Sequence, residues 1–368
     1  MQPLRSLRLR HSSGTTRVFI GPGALPAASS HLDEWLDGRT TFVLTTPNVG
    51  RLYLEPLADR LRAASRVEVF ETVEGEAAKT IERATELWSQ MNMLRGRRSS
   101  RLITLGGGAV GDLGGYVAGC FLRGIQYSQV PTTLLSQVDA SLGGKTAVDL
   151  PHAKNSVGLF HHPKLVISDL TVLETLPEDE VRSGLFEVVK TATILDTDLF
   201  EVLESVALDL RSPSDDVLSR LVAPTAAAKI RLVEQDPQES GQRRLLNFGH
   251  TLGHAIETAL GYETLRHGEA VGYGMLFALR LARPRGLSAA DGDRIESLIR
   301  AVGLPPLPSL DLHALLAAMD MDKKNQESGL VWVLPKAVGI GRVVKDLEMI
   351  EIREELERFL TSMSAVTD

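Results

Sequence analysis

The sequence predicts an α/β fold in two domains, a sheet-based one over residues 1–175 and a mainly helical one over 176–368. Three observations carry this. The chain has 368 residues, past the length at which a single hydrophobic core usually stops growing. Up to about residue 170, short apolar runs alternate with stretches whose apolar residues recur every three or four positions. After about residue 176 the strand signals nearly vanish.

In the first part, "TTFVLTT" (40–46), "VEVF" (67–70), "RLITLGGG" (101–108) and "KLVISD" (164–169) read as strands. "VGRLYLEPLADRLRAA" and "AAKTIERATELWSQMNML" have the spacing of helices packed on a sheet. "RGRRSSR" (95–101) reads as a solvated loop before a strand. In the second part, "PEDEVRSGLFEVVKTATIL" opens with acidic residues, which suit the positive end of a helix. Further helical patterns are "DDVLSRLVAPTAAAKIRLVEQ", "GHTLGHAIETAL", "GEAVGYGMLFALRLA" and "AADGDRIESLIRAVG". One late strand pair falls at "GLVWVLP" and "GRVVKD".

A net charge of −7 argues against a broad electrostatic footprint for nucleic acid or anionic lipid. The single cysteine, Cys120, forms no intrachain disulfide, which suits a reducing cytoplasm. No segment has about 18 uninterrupted apolar residues, so neither a membrane span nor a secretory leader is expected.

Three constellations carry chemistry. "LITLGGGAVGDLGGYVAG" sets a strand directly before Gly106, Gly107 and Gly108. Gly106, Gly108 and Gly111 have the G-x-G-x-x-G spacing that brings helix N-terminal amides to a pyrophosphate. Glycines at a tight strand-to-helix turn serve structure equally well. No acid follows a second strand about 20 residues on, so the adenosine end of a dinucleotide falls to residues elsewhere, such as Glu76 and Lys79. Arg123, Asp139, Lys145, Lys154 and Asn155 lie among glycines and small residues, an anion-binding composition that solvated loop charges also have. Asp139 and Lys190 suit a structural ion pair as well as a site. His250 and His254, at i and i+4, share a helix face. Such a pair also arises by chance, but His267 opens the next helix, and Glu187, costly on an apolar helix, is the best candidate to complete an open zinc-type ligand set.

The blocks "GGGAVGDLGGYVAGCFLRGI", "QVPTTLLSQVDASLGGKTAVD", "KNSVGLFHHPKLVISD", "LPEDEVRSGLFEVVK", "RRLLNFGHTLGHAIE" and "HGEAVGYGM", in this order over roughly residues 15–350, resemble the 3-dehydroquinate synthases, members of the sugar phosphate cyclases. The resemblance implies a Rossmann-like nucleotide-binding domain followed by an α-helical metal-binding domain. It implies a zinc or cobalt ion on Glu187, His250 and His267, with His254 turned to the substrate. NAD would lie on Gly106, Gly107, Gly108 and Asp112 with Thr132 and Thr133 nearby, Glu76 and Lys79 towards the adenosine, and Lys145 and Lys154 on the cofactor side too.

The implied substrate is a sugar phosphate acid, 3-deoxy-D-arabino-heptulosonate 7-phosphate. Its phosphate would meet Lys145, Asn155, His254 and Lys323 or Lys324, with Arg123 donated by a second subunit of a homodimer. Its carboxylate would meet Arg243, Lys229 and Asn247, and its ring hydroxyls Asp139 and Lys190, with Lys154 completing the wall. Catalytic roles fall on Asp139, Lys145, Lys190, Lys229 and His254. The implied activity is that of a carbon–oxygen lyase acting on phosphates: transient oxidation by NAD, phosphate elimination, return of the hydride and aldol closure. "KTATI" after Glu187 and His162 depart from the family's usual residues, leaving a cyclase of the 2-deoxy-scyllo-inosose type as an alternative. A metal-dependent alcohol or glycerol dehydrogenase is another, and a non-catalytic sensor of NAD or sugar phosphate a third.

Overall fold

The structure, a computed structural model, describes residues 4–151, 153–261, 264–324 and 330–364, without the side chains of 321–324 and 364. The chain forms two compact units. The first is Met1–Leu176 with Leu218–Gln238, and the second is Pro177–Val217 with Glu239–Asp368.

The first unit is built on strands β1 (Arg5–His11), β2 (Gly14–Gly21), β3 (Thr40–Thr45), β4 (Arg66–Glu71), β5 (Arg101–Gly106), β6 (Gln126–Pro131) and β9 (Leu165–Asp169), in the order β1-β2-β9-β6-β5-β3-β4. All pairings are parallel except the β1/β2 hairpin. The central strands are buried on both faces, which is why they read as continuous apolar runs. Alternate residues go to opposite cores: Phe42, Leu44 and Leu102 to one, Val43, Ile103 and Leu105 to the other. From β3 the chain moves out to β4, then returns to β5 and proceeds the other way to β6. The switch point, where open α/β sheets bind ligands at their carboxyl ends, therefore lies between β3 and β5. The glycine turn follows β5 at this point.

A hairpin of β7 (Lys145–Leu150) and β8 (Ala153–Phe160) covers the helix Gly108–Cys120. That helix lies hard against its neighbours. A Cβ on Gly114 would come 2.2 Å from Thr104 Cγ2, and one on Gly115 would come 2.3 Å from Thr146 Cγ2.

The second unit contains the helices Glu178–Leu195, Thr197–Ser205, His250–Ala259, His267–Ala282, Ala289–Val302, Leu312–Lys324 and Met349–Ser364, with a hairpin of β10 (Trp332–Ala337) and β11 (Ile340–Val344). The helix Asp215–Gln235 departs from the expected division at 175/176, because beyond Val217 it belongs to the first unit. A physical tie is Lys229, whose ammonium donates to the Asp139 carbonyl at 2.7 Å and pairs with its carboxylate. Among the described residues, no helix is long and apolar enough to cross a membrane.

Candidate metal and nucleotide sites

The helix Glu178–Leu195 starts with Glu178, Asp179 and Glu180 in its first turn and is buried from Ser183 to Ile194. Glu187 and Lys190, one turn apart within that stretch, form an ion pair with both side chains about 1% exposed. Neither Glu187 oxygen accepts a hydrogen bond. A carboxylate left so in a protein interior is costly unless a cation holds it.

Glycines bring the histidines to this carboxylate. Gly249 caps the helix His250–Ala259 at φ 80°, a left-handed conformation in which a side chain is strained. A Cβ on Gly274 would come 1.8 Å from the Gly249 carbonyl oxygen, and one on Gly268 would come 1.9 Å from that of Ser183. The helix His267–Ala282 thus crosses both neighbours with backbones touching. At the crossing, Glu187 Oε1 lies 3.8 Å from His250 Nε2 and 3.7 Å from His267 Nε2. Donors about 2.0–2.1 Å from a tetrahedral ion stand about 3.3 Å apart, so a small contraction closes this set on a divalent cation.

The far side of each ring is fixed as well. His250 Nδ1 stands 3.2 Å from the Phe248 carbonyl and His267 Nδ1 3.1 Å from Glu257 Oε2. Both leave Nε2 towards Glu187. Burial, with the Lys190 charge and the neighbouring rings, holds the His250 pKa well below its usual value, so the ring is neutral near pH 7. For His267, burial acts downward but Glu257 and Glu187 outweigh it, and its pKa is raised. One carboxylate and two imidazoles fit an open zinc-type site. His254 is exposed, its ring 5.2 Å from that of His250 in an edge-on contact. His254, Glu257 and His267 form a second ligand-capable group that overlaps the first at His267.

In the first unit, Gly107 is the N-cap of the helix Gly108–Cys120, with Thr133 packed against it and Thr132 buried at the end of β6. Lys79 is buried, and its ammonium reaches Asp112 Oδ2 at 3.0 Å, Asn155 Oδ1 at 2.5 Å and Glu76 Oε2 at 3.4 Å. Burial pushes the Asp112 carboxyl up to about 6 despite Lys79 beside it. Glu76, Lys79, Asp112 and Asn155 are therefore one network, tying the glycine-turn helix to β8. Lys79 is its internal link.

The 3-dehydroquinate synthase N-terminal family model matches residues 69–183, and the C-terminal model matches 184–325. The chain belongs to the 3-dehydroquinate synthase family. A 3-dehydroquinate synthase of Xylella fastidiosa is 41% identical over 367 residues, covering 97% of this chain and 93% of the relative. Two solved structures share its fold over nearly its whole length. One is 2-deoxy-scyllo-inosose synthase complexed with carbaglucose-6-phosphate, NAD+ and Co2+, at TM-score 0.87 and 26% identity over 96% of this chain and 100% of that one. The other is 2-epi-5-epi-valiolone synthase from Streptomyces hygroscopicus with NAD+ and Zn2+, at 0.85 and 27% over 99% of both.

In this member of the 3-dehydroquinate synthase family, the expected metal ligands Glu187, His250 and His267 come together. Asp139 pairs with Lys229, and Lys190 with Glu187. Arg243 is buried in the turn Gln242–Asn247, and Asn247 Nδ2 donates to Glu239 Oε1 at 2.8 Å. Lys145 opens β7 exposed and Lys154 is half-buried on β8, while Arg123 is exposed at φ 67°. The side chains of Lys323 and Lys324 lie outside the described residues. His162 stacks on His11 at 3.9 Å. Sequence reasoning missed Glu257, although its place seven residues after His250 and three after His254 puts it on the same helix face.

Proposed function

We propose that this chain converts 3-deoxy-D-arabino-heptulosonate 7-phosphate into 3-dehydroquinate and phosphate, as a carbon–oxygen lyase of the shikimate pathway of aromatic amino acid biosynthesis. The observation that carries the reading is the Glu187–His250–His267 set, built around a buried carboxylate, in a chain 41% identical to a 3-dehydroquinate synthase nearly end to end. When bound, NAD supplies a reversible hydride acceptor, and a zinc or cobalt ion supplies Lewis acidity and a template for vicinal oxygens.

The chain's residues do the rest. Glu187, His250 and His267 hold the ion, and Lys190 beside them neutralises charge on the substrate oxygens while His254 faces the substrate. Arg243 receives the carboxylate, a planar fork matched to a planar anion. In the first unit, the glycine turn with Thr132, Thr133 and the Lys79–Asp112 network holds NAD. Lys145, Lys154 and Asn155 offer groups for anions there. The carboxylates in these clusters have cationic or imidazole partners: Asp139 with Lys229, Glu187 with Lys190, Glu257 with His267. That leaves the departing phosphate as the base for its own elimination. The same reading includes cytoplasmic residence and a homodimer in which Arg123 serves the neighbouring subunit.

The test is phosphate release by the purified, metal-loaded protein with substoichiometric NAD. One phosphate per heptulosonate phosphate, without accumulating NADH, is expected. Release from glucose 6-phosphate alone would move the chain to the inosose-forming cyclases, and stoichiometric NADH from a simple polyol would make it a dehydrogenase.

A further inference from the structure

The two ligand-capable groups of the second unit share His267, and one ring nitrogen serves one partner at a time. Its Nε2 faces Glu187 at 3.7 Å, while its Nδ1 lies 3.1 Å from Glu257 Oε2. A carboxylate at hydrogen-bond distance holds the proton on Nδ1 and leaves the Nε2 lone pair for a metal. Glu257 is buried on the helix His250–Ala259, so it keeps this position without solvent competition. The Phe248 carbonyl does the same for His250, but as backbone it is not open to side-chain substitution.

We infer that Glu257 is a positioning residue for the metal centre, an outer-shell acceptor that fixes the tautomer and raises the basicity of His267, and that His254, Glu257 and His267 do not hold a second ion. This rests on the metal reading proposed above. Outer-shell carboxylates of this kind alter metal affinity by about 10–100-fold. Glu257→Gln keeps the shape and a carbonyl acceptor but loses the charge, whereas Glu257→Ala loses the acceptor.

The experiment is competition of Co2+ between a chromophoric chelator and the metal-free protein, with Co2+ stoichiometry and visible absorption read on the same samples, and circular dichroism as the check on folding. Wild type is expected to bind one ion per chain. Glu257→Ala should bind one ion about 10–100-fold more weakly, with an altered visible band, and Glu257→Gln should recover part of the affinity. Unchanged affinity and band in folded Glu257→Ala would overturn the inference alone. So would two ions per wild-type chain with one lost in Glu257→Ala, because Glu257 would then be a ligand. If Glu257→Ala does not fold, Glu257→Gln decides on the same readouts, a wild-type affinity and band overturning the inference. Wild type that binds no divalent ion would overturn the metal reading and the inference together.

Discussion

Glu187 and Lys190 face each other one helical turn apart, both about 1% exposed, and both Glu187 oxygens lack a hydrogen bond. In the metal-free protein, the ammonium is the cation that holds this carboxylate. Removing one member of a buried pair strands the other, at about 3–5 kcal/mol. Glu187→Gln should therefore lower the stability of the metal-free protein by about 3 kcal/mol, as read from urea unfolding. A divalent ion at about 100 times its Kd should raise wild-type stability by about 2.7 kcal/mol and leave the variant unmoved.

The crossing that gathers the ligands should fail with one methyl group. A Cβ on Gly274 meets the Gly249 carbonyl oxygen at 1.8 Å, and neither backbone is able to swing aside as a side chain would. Overpacking of cores costs about 1–3 kcal/mol or more. Gly274→Ala is expected at or beyond the upper end, seen as a lower melting temperature with loss of Co2+ binding.

Asp112 gives a pH dependence of definite sign. Its carboxyl is raised from 3.8 to about 6 in the folded protein, chiefly by burial. The folded state then binds more protons than the unfolded one between these values, so this group's contribution to stability is present below about pH 4 and is lost as pH rises through about 6. At about 1.4 kcal/mol per unit, the loss is about 1–3 kcal/mol. Urea unfolding of wild type and Asp112→Asn from pH 4 to 7 checks this. The wild type should lose stability relative to the variant across the window.

The sequence expresses the metal site better than the nucleotide site, for a physical reason. Glu187, His250 and His267 lie on helices whose amphipathic spacing and glycines are written locally, and their identities restrict the chemistry. Strands β3, β5 and β9 are legible because burial on both faces makes them continuous apolar runs, and the edge strand β4 is legible by its alternating valines and Phe70. By contrast, the edge strand β1 alternates arginines with leucines, β2 opens with threonines and an arginine, and β6 carries Gln126, Ser128 and Gln129, so none of the three reads as a continuous apolar run. The hairpin β7–β8 mixes lysines, Asp149 and Asn155 with small residues and is largely exposed on β8, so it passes for a loop. The Lys79–Asp112–Asn155 network joins residues 76 positions apart in the chain, a pairing that no local pattern expresses. The placement of residues 218–238 in the first unit is likewise non-local, the Lys229–Asp139 tie spanning 90 positions.

In the proposed function, Arg243 is the residue on which substrate identity turns. It is 2% exposed in a short turn of the second unit, and a buried guanidinium suits a planar carboxylate far better than a hydroxyl. Truncating one partner of such a pair costs about 2–5 kcal/mol, a factor of about 30 to several thousand in Kd. Arg243→Ala should weaken binding of a non-reactive analogue of the heptulosonate phosphate by that factor, measured by titration calorimetry on the metal- and NAD-loaded protein. The same analogue without its carboxylate separates recognition from packing. It should bind wild type and variant alike if the guanidinium serves the acid, and should lose affinity equally with the acid analogue if Arg243 only supports the turn Gln242–Asn247.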